Sequence, residues 1–90
     1  MEADLTGQFE AAAKHVGEKG KGLKNDDALK FYGWYKQATT GDCNTSKPGG
    51  MFNQKEKAKW EAWNANKGMS GDDAKKAYVD FAKSKLDFSG

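Results

Sequence analysis

The chain has 90 residues, the size of one small domain with a single core. Fifteen basic and thirteen acidic side chains leave a net charge of +2, and every basic residue is a lysine. The near-neutral charge and the lack of arginine argue against a sequence-specific nucleic-acid reader, because such proteins use the planar guanidinium for two-point contacts to bases. Large catalytic folds such as the eight-stranded α/β barrel need more chain than this.

The composition predicts an all-α fold. Valine occurs twice and isoleucine never, so there is little β-branched material for a sheet. A first helix is predicted from Asp4 to Val16, and glycines 17, 20 and 22 follow it and are expected to end it. Its apolar side chains recur at helical spacing on one face: Leu5, Phe9, Ala12, Ala13 and Val16.

Three further helices are predicted. The second runs from Asn25–Asp27 to Thr39 and the third from Gln54 to Asn66. The fourth begins at Ser70, whose hydroxyl can cap the free backbone N–H groups. Its apolar stripe comprises Ala74, Ala77, Tyr78, Phe81 and Leu86. Four short helices predict a four-helix bundle. The connection 40–53 holds the only proline, and a loop of this length either carries function or spans a distance, which would let the second and third helices run parallel.

The sequence offers no catalytic or metal-binding constellation. Cys43 is the only cysteine, and it can neither form an intramolecular disulfide nor hold a zinc ion alone. His15 is the only histidine and has no partner at metal-ligand spacing. Residues 1–7 lack the basic and then apolar pattern of a signal peptide, and no apolar run is long enough to cross a membrane. We therefore expect a cytoplasmic protein that is not an enzyme and has no metal or cofactor.

The second helix has aromatic side chains on two sides. At about 100° per residue, Phe31, Trp34 and Ala38 share one side. A separate side carries Leu29, Tyr32, Tyr35, Lys36 and Thr39. Tyrosines beside a lysine can stack on a flat ring and bind a phosphate. The same pattern also fits an aromatic core whose lysine reaches out to solvent, so both interpretations stay open.

The third helix places two lysines one turn apart. Lys55 and Lys59 repel each other at this spacing by a few tenths of a kcal/mol, which an anion bound between helices would offset. The alternative interpretation is that both lysines are simply exposed to water and bind no anion. Trp60 and Trp63 lie on a different side of this helix and are predicted to be core residues, whereas Tyr78 of the fourth helix suits either the core or a site.

Several motifs together resemble the acyl-CoA-binding protein family. Residues 32–42 read YGWYKQATTGD and residues 57–64 read KAKWEAWN. The match continues at Asn44, Pro48, Gly49, Gly68, Ser70, Ala74 and Tyr78. The resemblance covers nearly the whole chain. It implies one domain over 1–90, an up-down-down-up four-helix bundle with a long overhand loop between helices two and three, and a carrier of long-chain fatty acyl-CoA thioesters.

The resemblance also implies roles for individual residues. Tyr32, Lys36 and Lys59 would hold the 3′-phosphate of the CoA ribose, Tyr35 and Tyr78 would flank the adenine and ribose, and Lys55 would lie near the headgroup. The remaining positions implied for the ligand site are Ala13, Lys14, Ala28 and Leu29. The implied carrier is a monomer that contacts acyl-CoA-using enzymes or membranes transiently and binds no nucleic acid.

Some positions depart from the family pattern. Leu23 and Lys24 stand where a proline is usual, and Gly17 stands where a headgroup-facing lysine is usual, with Lys14, Lys19 or Lys21 as possible substitutes. Ala28 replaces a usual apolar residue early in helix two, and an extra residue lies around Gly49-Gly50. The alternative interpretation is a helical protein-interaction module whose aromatic face on helix two takes a partner helix and is indifferent to CoA.

Overall fold

The computed structural model describes residues 5–47, 49 and 54–89. These residues form four α-helices and no strand, which confirms the predicted all-α fold. A 3₁₀ turn, Gly20–Gly22, follows the first helix. Asp4, the predicted start of that helix, and loop residues 48 and 50–53 lie outside the described residues. The helices are α1 Leu5–Lys19, α2 Asn25–Thr39, α3 Gln54–Asn64 and α4 Gly71–Leu86.

The helix ends differ from the prediction by a few residues. α1 continues through Gly17 to Lys19, because a glycine inside a helix costs only about 1 kcal/mol and does not by itself stop it. The N-cap of α2 is Lys24, whose side chain makes no capping bond, so the acidic residues of the first turn supply the favourable charge at that end. Ser70 caps α4 as predicted, its hydroxyl accepting from the backbone N–H of Asp73 at 3.0 Å.

Contacts near the helix ends show that α1 and α4 are parallel. Lys75 Nζ donates to Thr6 Oγ1 at 3.0 Å, joining the first turns of the two helices. Near their last turns, His15 Nε2 lies 2.6 Å from the carbonyl oxygen of Leu86. Since the first turns contact each other and the last turns contact each other, the two helices run in the same direction.

The other two helices run the opposite way. Lys85 Nζ and Asp27 Oδ2 lie 3.9 Å apart and connect the end of α4 to the start of α2, so these helices are antiparallel. α3 is parallel to α2, because Lys59 lies over the ring of Tyr32 and, one turn later in both helices, Lys36 lies over Trp63. The order is therefore up-down-down-up, as the resemblance implied, and the connection 40–53 returns the chain to the start of α3.

The hydrophobic core lies between α1, α2 and α4. Phe31 is 3 % exposed, and its ring meets Tyr78 and Phe81 edge-on with centroids 5.0 Å apart in each pair. Edge-on packing is a favoured geometry for aromatic rings and adds to the gain from burying their area. The buried members of the core are Phe9, Ala12, Phe31, Tyr78, Val79, Ala82 and Phe88.

The first half of the long loop is fastened to α3. Trp63, which is 5 % exposed, donates its indole N–H to the carbonyl of Gly41 at 2.7 Å. Trp60 is half-buried and donates to the carbonyl of Thr45 at 2.9 Å. Both tryptophans therefore pack toward the loop, although only Trp63 is buried as predicted.

Membrane spans and metal clusters are both absent from the described residues. None of the helices there is long and apolar enough to cross a membrane. In the same part of the chain, no group of three or more His, Cys, Asp or Glu side chains could hold a metal ion.

Candidate functional site

A groove of about 630 Å³ lies between the first halves of α2 and α3. Four side chains from each helix line it, and in each helix they recur at spacings of one, three and four residues, so they form facing stripes. The floor is partly aliphatic, and no described residue of the lining is acidic. The lining residues are Asn25, Ala28, Leu29, Tyr32, Gln54, Lys55, Ala58 and Lys59.

The positive charge of this groove comes from α3. Lys55 and Lys59 both line it, one turn apart, and Lys59 Nζ lies 5.6 Å from the ring centroid of Tyr32 across the groove. Lys59 Nζ lies 3.7 Å from the carboxylate of Glu56, which is well exposed. Exposed ion pairs of this kind contribute little, so an anion entering the groove meets lysines that are only weakly paired.

The three residues predicted to hold a phosphate all lie at the interface of α2 and α3. Tyr32 and Lys59 face each other, and Lys36 lies one turn further along α2, with its Nζ 4.7 Å from the ring centroid of Trp63. Lys36 is half-buried and lies beyond the end of the groove lining. The structure therefore places two predicted phosphate residues in the groove and the third just beyond it, one turn along α2.

A second depression, of about 520 Å³, lies between α1 and α2, with Lys75 of α4 at its edge. The predicted residues Ala13 and Tyr35 line this depression rather than the groove. Tyr35 is 42 % exposed and stacks on Phe9 with ring centroids 5.6 Å apart. The complete lining is Thr6, Phe9, Glu10, Ala13, Tyr35, Ala38, Thr39 and Lys75.

Tyr78 lies beneath this depression, as a core residue. Tyr78 is only 3 % exposed, and its ring packs edge-on against Phe9 and Phe31. Burial, followed by the nearby Tyr35, raises the pKa of Tyr78 to about 12. Lys14, also predicted for the ligand site, is exposed on α1 and lines neither cavity.

Sequence reasoning missed some residues of both cavities. Three residues line the groove that the sequence did not predict as ligand contacts: Asn25, Gln54 and Ala58. Asn25 and Ala58 each lie three residues from a predicted ligand residue on the same helix, so helical periodicity could have found these two, whereas Gln54 directly precedes Lys55. Thr6, Glu10 and Lys75 line the depression on α1 and α4, and no motif marked them.

The far end of α2 is tied to the turn that precedes α4. Gln37, which is 1 % exposed, donates from Nε2 to Asp42 Oδ1 and to the carbonyl of Met69, both at 2.8 Å. The same Asp42 oxygen accepts from the backbone N–H of Gly68 at 2.8 Å. The Gly68 bond and then the Gln37 bond hold the pKa of Asp42 below its ordinary value of 3.8. This cluster fixes the C-terminal end of α2 relative to the end of α3.

Comparison with known proteins agrees with this architecture. Residues 6–82 match the family model described as acyl CoA binding protein. The chain is 49 % identical to acyl-CoA-binding protein homolog 1 of Caenorhabditis elegans over 83 % of this chain and 86 % of that protein. It is 44 % identical to an acyl-CoA-binding protein of Gossypium hirsutum over 96 % of both chains. The crystal structure of acyl-CoA-binding protein 2 from Oryza sativa superimposes with a TM-score of 0.86 at 38 % identity, covering 92 % of this chain and 89 % of that one.

Proposed function

The chain belongs to the acyl-CoA-binding protein family, and on this basis we propose that it binds long-chain fatty acyl-CoA thioesters and carries and buffers them in the cell. The observation that supports this most strongly is the groove between α2 and α3, which combines an aliphatic floor with two lysines. An acyl-CoA has the matching parts, an apolar chain attached to a headgroup with several phosphates. We propose a single domain over 1–90 that acts as a cytoplasmic monomer, without catalysis or cofactor.

The 3′-phosphate of CoA is assigned to Tyr32, Lys36 and Lys59. The hydroxyl of Tyr32 donates one hydrogen bond, and the two ammonium groups donate charge-assisted bonds, which are about twice as strong as neutral ones. Tyr32 and Lys59 already face each other across the groove, and Lys36 lies one turn along from Tyr32. A phosphate between α2 and α3 would draw Lys36 and Lys59 to itself from their present aromatic neighbours.

The adenine and ribose are assigned to the side of α2 that carries Tyr35. Its exposed ring gives a flat surface for stacking, and Ala13 beside it leaves room for a base. Tyr78 supports Tyr35 from below, with ring centroids 6.3 Å apart. Lys55 and the exposed Lys14 complete the proposed headgroup contacts, as positive charges near the phosphates.

The acyl chain is assigned to the aliphatic part of the groove, along Ala28, Leu29 and Ala58. Burial of about 16 carbons contributes on the order of 10 kcal/mol, at roughly 0.8 kcal/mol per methylene. Ordering of the chain lowers this gain. The tail should still dominate the affinity, so short acyl-CoAs bind less tightly than long ones.

Titration calorimetry with palmitoyl-CoA, free CoA and free palmitate, below the micelle concentration, tests the proposal. We expect tight 1:1 binding of the thioester and much weaker binding of either fragment, because each fragment fills only half of the site. If palmitoyl-CoA binds no better than palmitate, the phosphate site has no function and the interaction-module alternative takes its place.

Two substitutions test the phosphate assignment. Tyr32→Phe and Lys36→Ala should weaken palmitoyl-CoA binding while the bundle stays folded. Lys30→Ala is the matched control, because Lys30 is also on α2 and also lies over a ring, that of Phe81 at 5.4 Å, but lines neither cavity. Unchanged affinity in both test variants would refute the assignment.

A further inference from the structure

Gly33 is the point at which the backbones of α2 and α3 come into contact. A Cβ atom built on Gly33 would lie 2.5 Å from the carbonyl oxygen and 2.9 Å from the carbonyl carbon of Ala62. It would also lie 3.0 Å from Asn66 Nδ2. Any side chain at this position therefore collides with the backbone of α3, which cannot turn aside as a flexible side chain could.

The backbone conformation at position 33 does not by itself require a glycine. It lies in the middle of α2 and is not among the described glycines with positive φ, Gly41 and Gly68. A glycine in a helix interior costs roughly 0.5–1 kcal/mol relative to alanine. A stabilising or functional gain from the close helix approach must offset that cost at Gly33.

The contact closes the groove at the end where the phosphate residues gather. Gly33 directly follows Tyr32 and precedes Lys36 by one turn of α2, and Ala62 follows Lys59 by one turn of α3. All groove-lining residues lie on the N-terminal side of this contact in both helices. The spacing at Gly33 and Ala62 therefore sets how far Tyr32 and Lys36 stand from Lys59.

We propose that Gly33 is a positioning residue of the phosphate site: its lack of a side chain lets α3 approach α2 closely enough for Tyr32, Lys36 and Lys59 to bind one phosphate together. This inference rests on the proposed acyl-CoA function and adds to it a determinant of headgroup selectivity. An alanine at position 33 would force the helices apart by roughly 1 Å, from 2.5 Å to an ordinary contact of at least 3.4 Å. Charge-assisted hydrogen bonds span only about 2.7–2.9 Å, so with the helices about 1 Å further apart Tyr32, Lys36 and Lys59 would bind one phosphate with longer and weaker bonds.

The experiment compares palmitoyl-CoA with palmitoyl-3′-dephospho-CoA by titration calorimetry. The wild-type protein should prefer the 3′-phosphorylated ligand, and Gly33→Ala should lower that preference about tenfold, equivalent to about 1.4 kcal/mol. The affinity of Gly33→Ala for the dephospho ligand should change less than threefold. General loosening of the bundle would weaken both ligands alike, so the ratio separates a positioning role from a structural one.

Gly17→Ala is the matched control. Gly17 is also inside a helix, but a Cβ built on it has no neighbour within 4 Å, so this variant should keep the wild-type preference.

The double variant Gly33→Ala/Asn66→Ala separates the two neighbours of the new methyl group. Since the Ala62 carbonyl remains, removing the Asn66 side chain should not restore the preference, and restoration would overturn the backbone-contact argument.

The remaining outcomes are also decisive. A wild-type preference that Gly33→Ala retains in full refutes the positioning role and leaves the proposed function intact. A wild-type protein without any preference refutes the proposed phosphate site and the positioning role with it. If Gly33→Ala does not fold in buffer, the full series is titrated in trimethylamine N-oxide, an osmolyte that favours the folded state, and the ratio is interpreted in the same way.

Discussion

The two sides of α2 are built differently. On one side, Phe31 and Trp34 pack edge-on against rings of α4, with Phe31 almost fully buried. On the other side, α2 faces α3 across a groove whose walls carry Tyr32 and lysines, and the helices touch at Gly33. The first side excludes water with interlocked rings, whereas the second leaves space between the helices.

This difference separates stability from binding. Full burial of a large apolar side chain contributes about 1.5–3 kcal/mol, so the aromatic side of α2 supplies much of the folding free energy. The groove side has open space, weakly paired lysines and few buried rings, which suits a surface that must admit a ligand. Substitutions at Phe31 and Leu29, two residues apart on α2, should therefore act mainly on folding stability and on ligand binding, respectively.

The largest expected effect is on the aromatic side. Phe31→Ala should lower the free energy of unfolding by about 3–5 kcal/mol, because it leaves a cavity among Tyr78, Trp34 and Phe81. Urea unfolding followed by circular dichroism measures this loss. A whole domain has only about 5–15 kcal/mol of stability, so the variant is expected to be marginal.

Leu29→Ala is the counterpart on the groove side. Leu29 is half-buried and lines the groove, so its loss should cost only about 1 kcal/mol of stability while weakening palmitoyl-CoA binding. Equal destabilisation by Phe31→Ala and Leu29→Ala would break the distinction between the two sides.

The next effect is on affinity. Lys59→Ala should weaken palmitoyl-CoA binding by roughly ten- to a hundredfold, since a hydrogen bond to a charged group contributes about 1.5–3 kcal/mol. Its stability should fall by less than about 1 kcal/mol, because the Glu56 pair it loses is exposed. Lys57→Ala, on the same helix but outside the groove lining, is the control for charge alone. Equal losses in both variants would show that net charge, not position, governs binding.

Features of these two sides can be predicted from the sequence where they depend on local helical periodicity. Helical periodicity predicted the four helices and put Phe31 and Trp34 opposite Tyr32 and Lys36, because the repeat of 3.6 residues is a local property. Tyr78 could not be assigned from periodicity, since a tyrosine suits both a core and a site. The structure places it in the core beside the proposed adenine depression.

Other features could not be predicted because they depend on distant parts of the chain. Nothing near Gly33 indicates that the Ala62 carbonyl lies against it, since this contact exists only once α3 is parallel to α2. The hydrogen bonds of Asp42 likewise join α2 to the turn after α3. The resemblance to the family implied the topology, but the distances that define the groove required the structure.

A smaller effect is expected at high pH, on the aromatic side. Because the folded-state pKa of Tyr78 is raised to about 12, the stability linked to its neutral hydroxyl is complete below about pH 10 and is lost as the pH rises toward 12. At pH 11 the wild-type protein should have lost about 1 kcal/mol more than Tyr78→Phe, relative to pH 8. Urea unfolding at the two pH values measures the difference, and parallel losses in both proteins would contradict it.

The smallest effect is expected in acid, at the Asp42 cluster that ties α2 to the turn before α4. The folded-state pKa of Asp42 lies below its ordinary value of 3.8, so its stabilising contribution is present above that pH and is lost as the pH falls through the folded-state value. Asp42→Asn keeps an oxygen that can accept from Gly68 but has no carboxylate to protonate. Between about pH 5 and pH 3 the melting temperature of the wild-type protein should therefore fall more steeply than that of Asp42→Asn. Because the cluster fixes the end of α2 rather than either of its long faces, palmitoyl-CoA affinity at neutral pH should be the same in both proteins; a weaker-binding Asp42→Asn would mean that the cluster also sets the spacing of the groove.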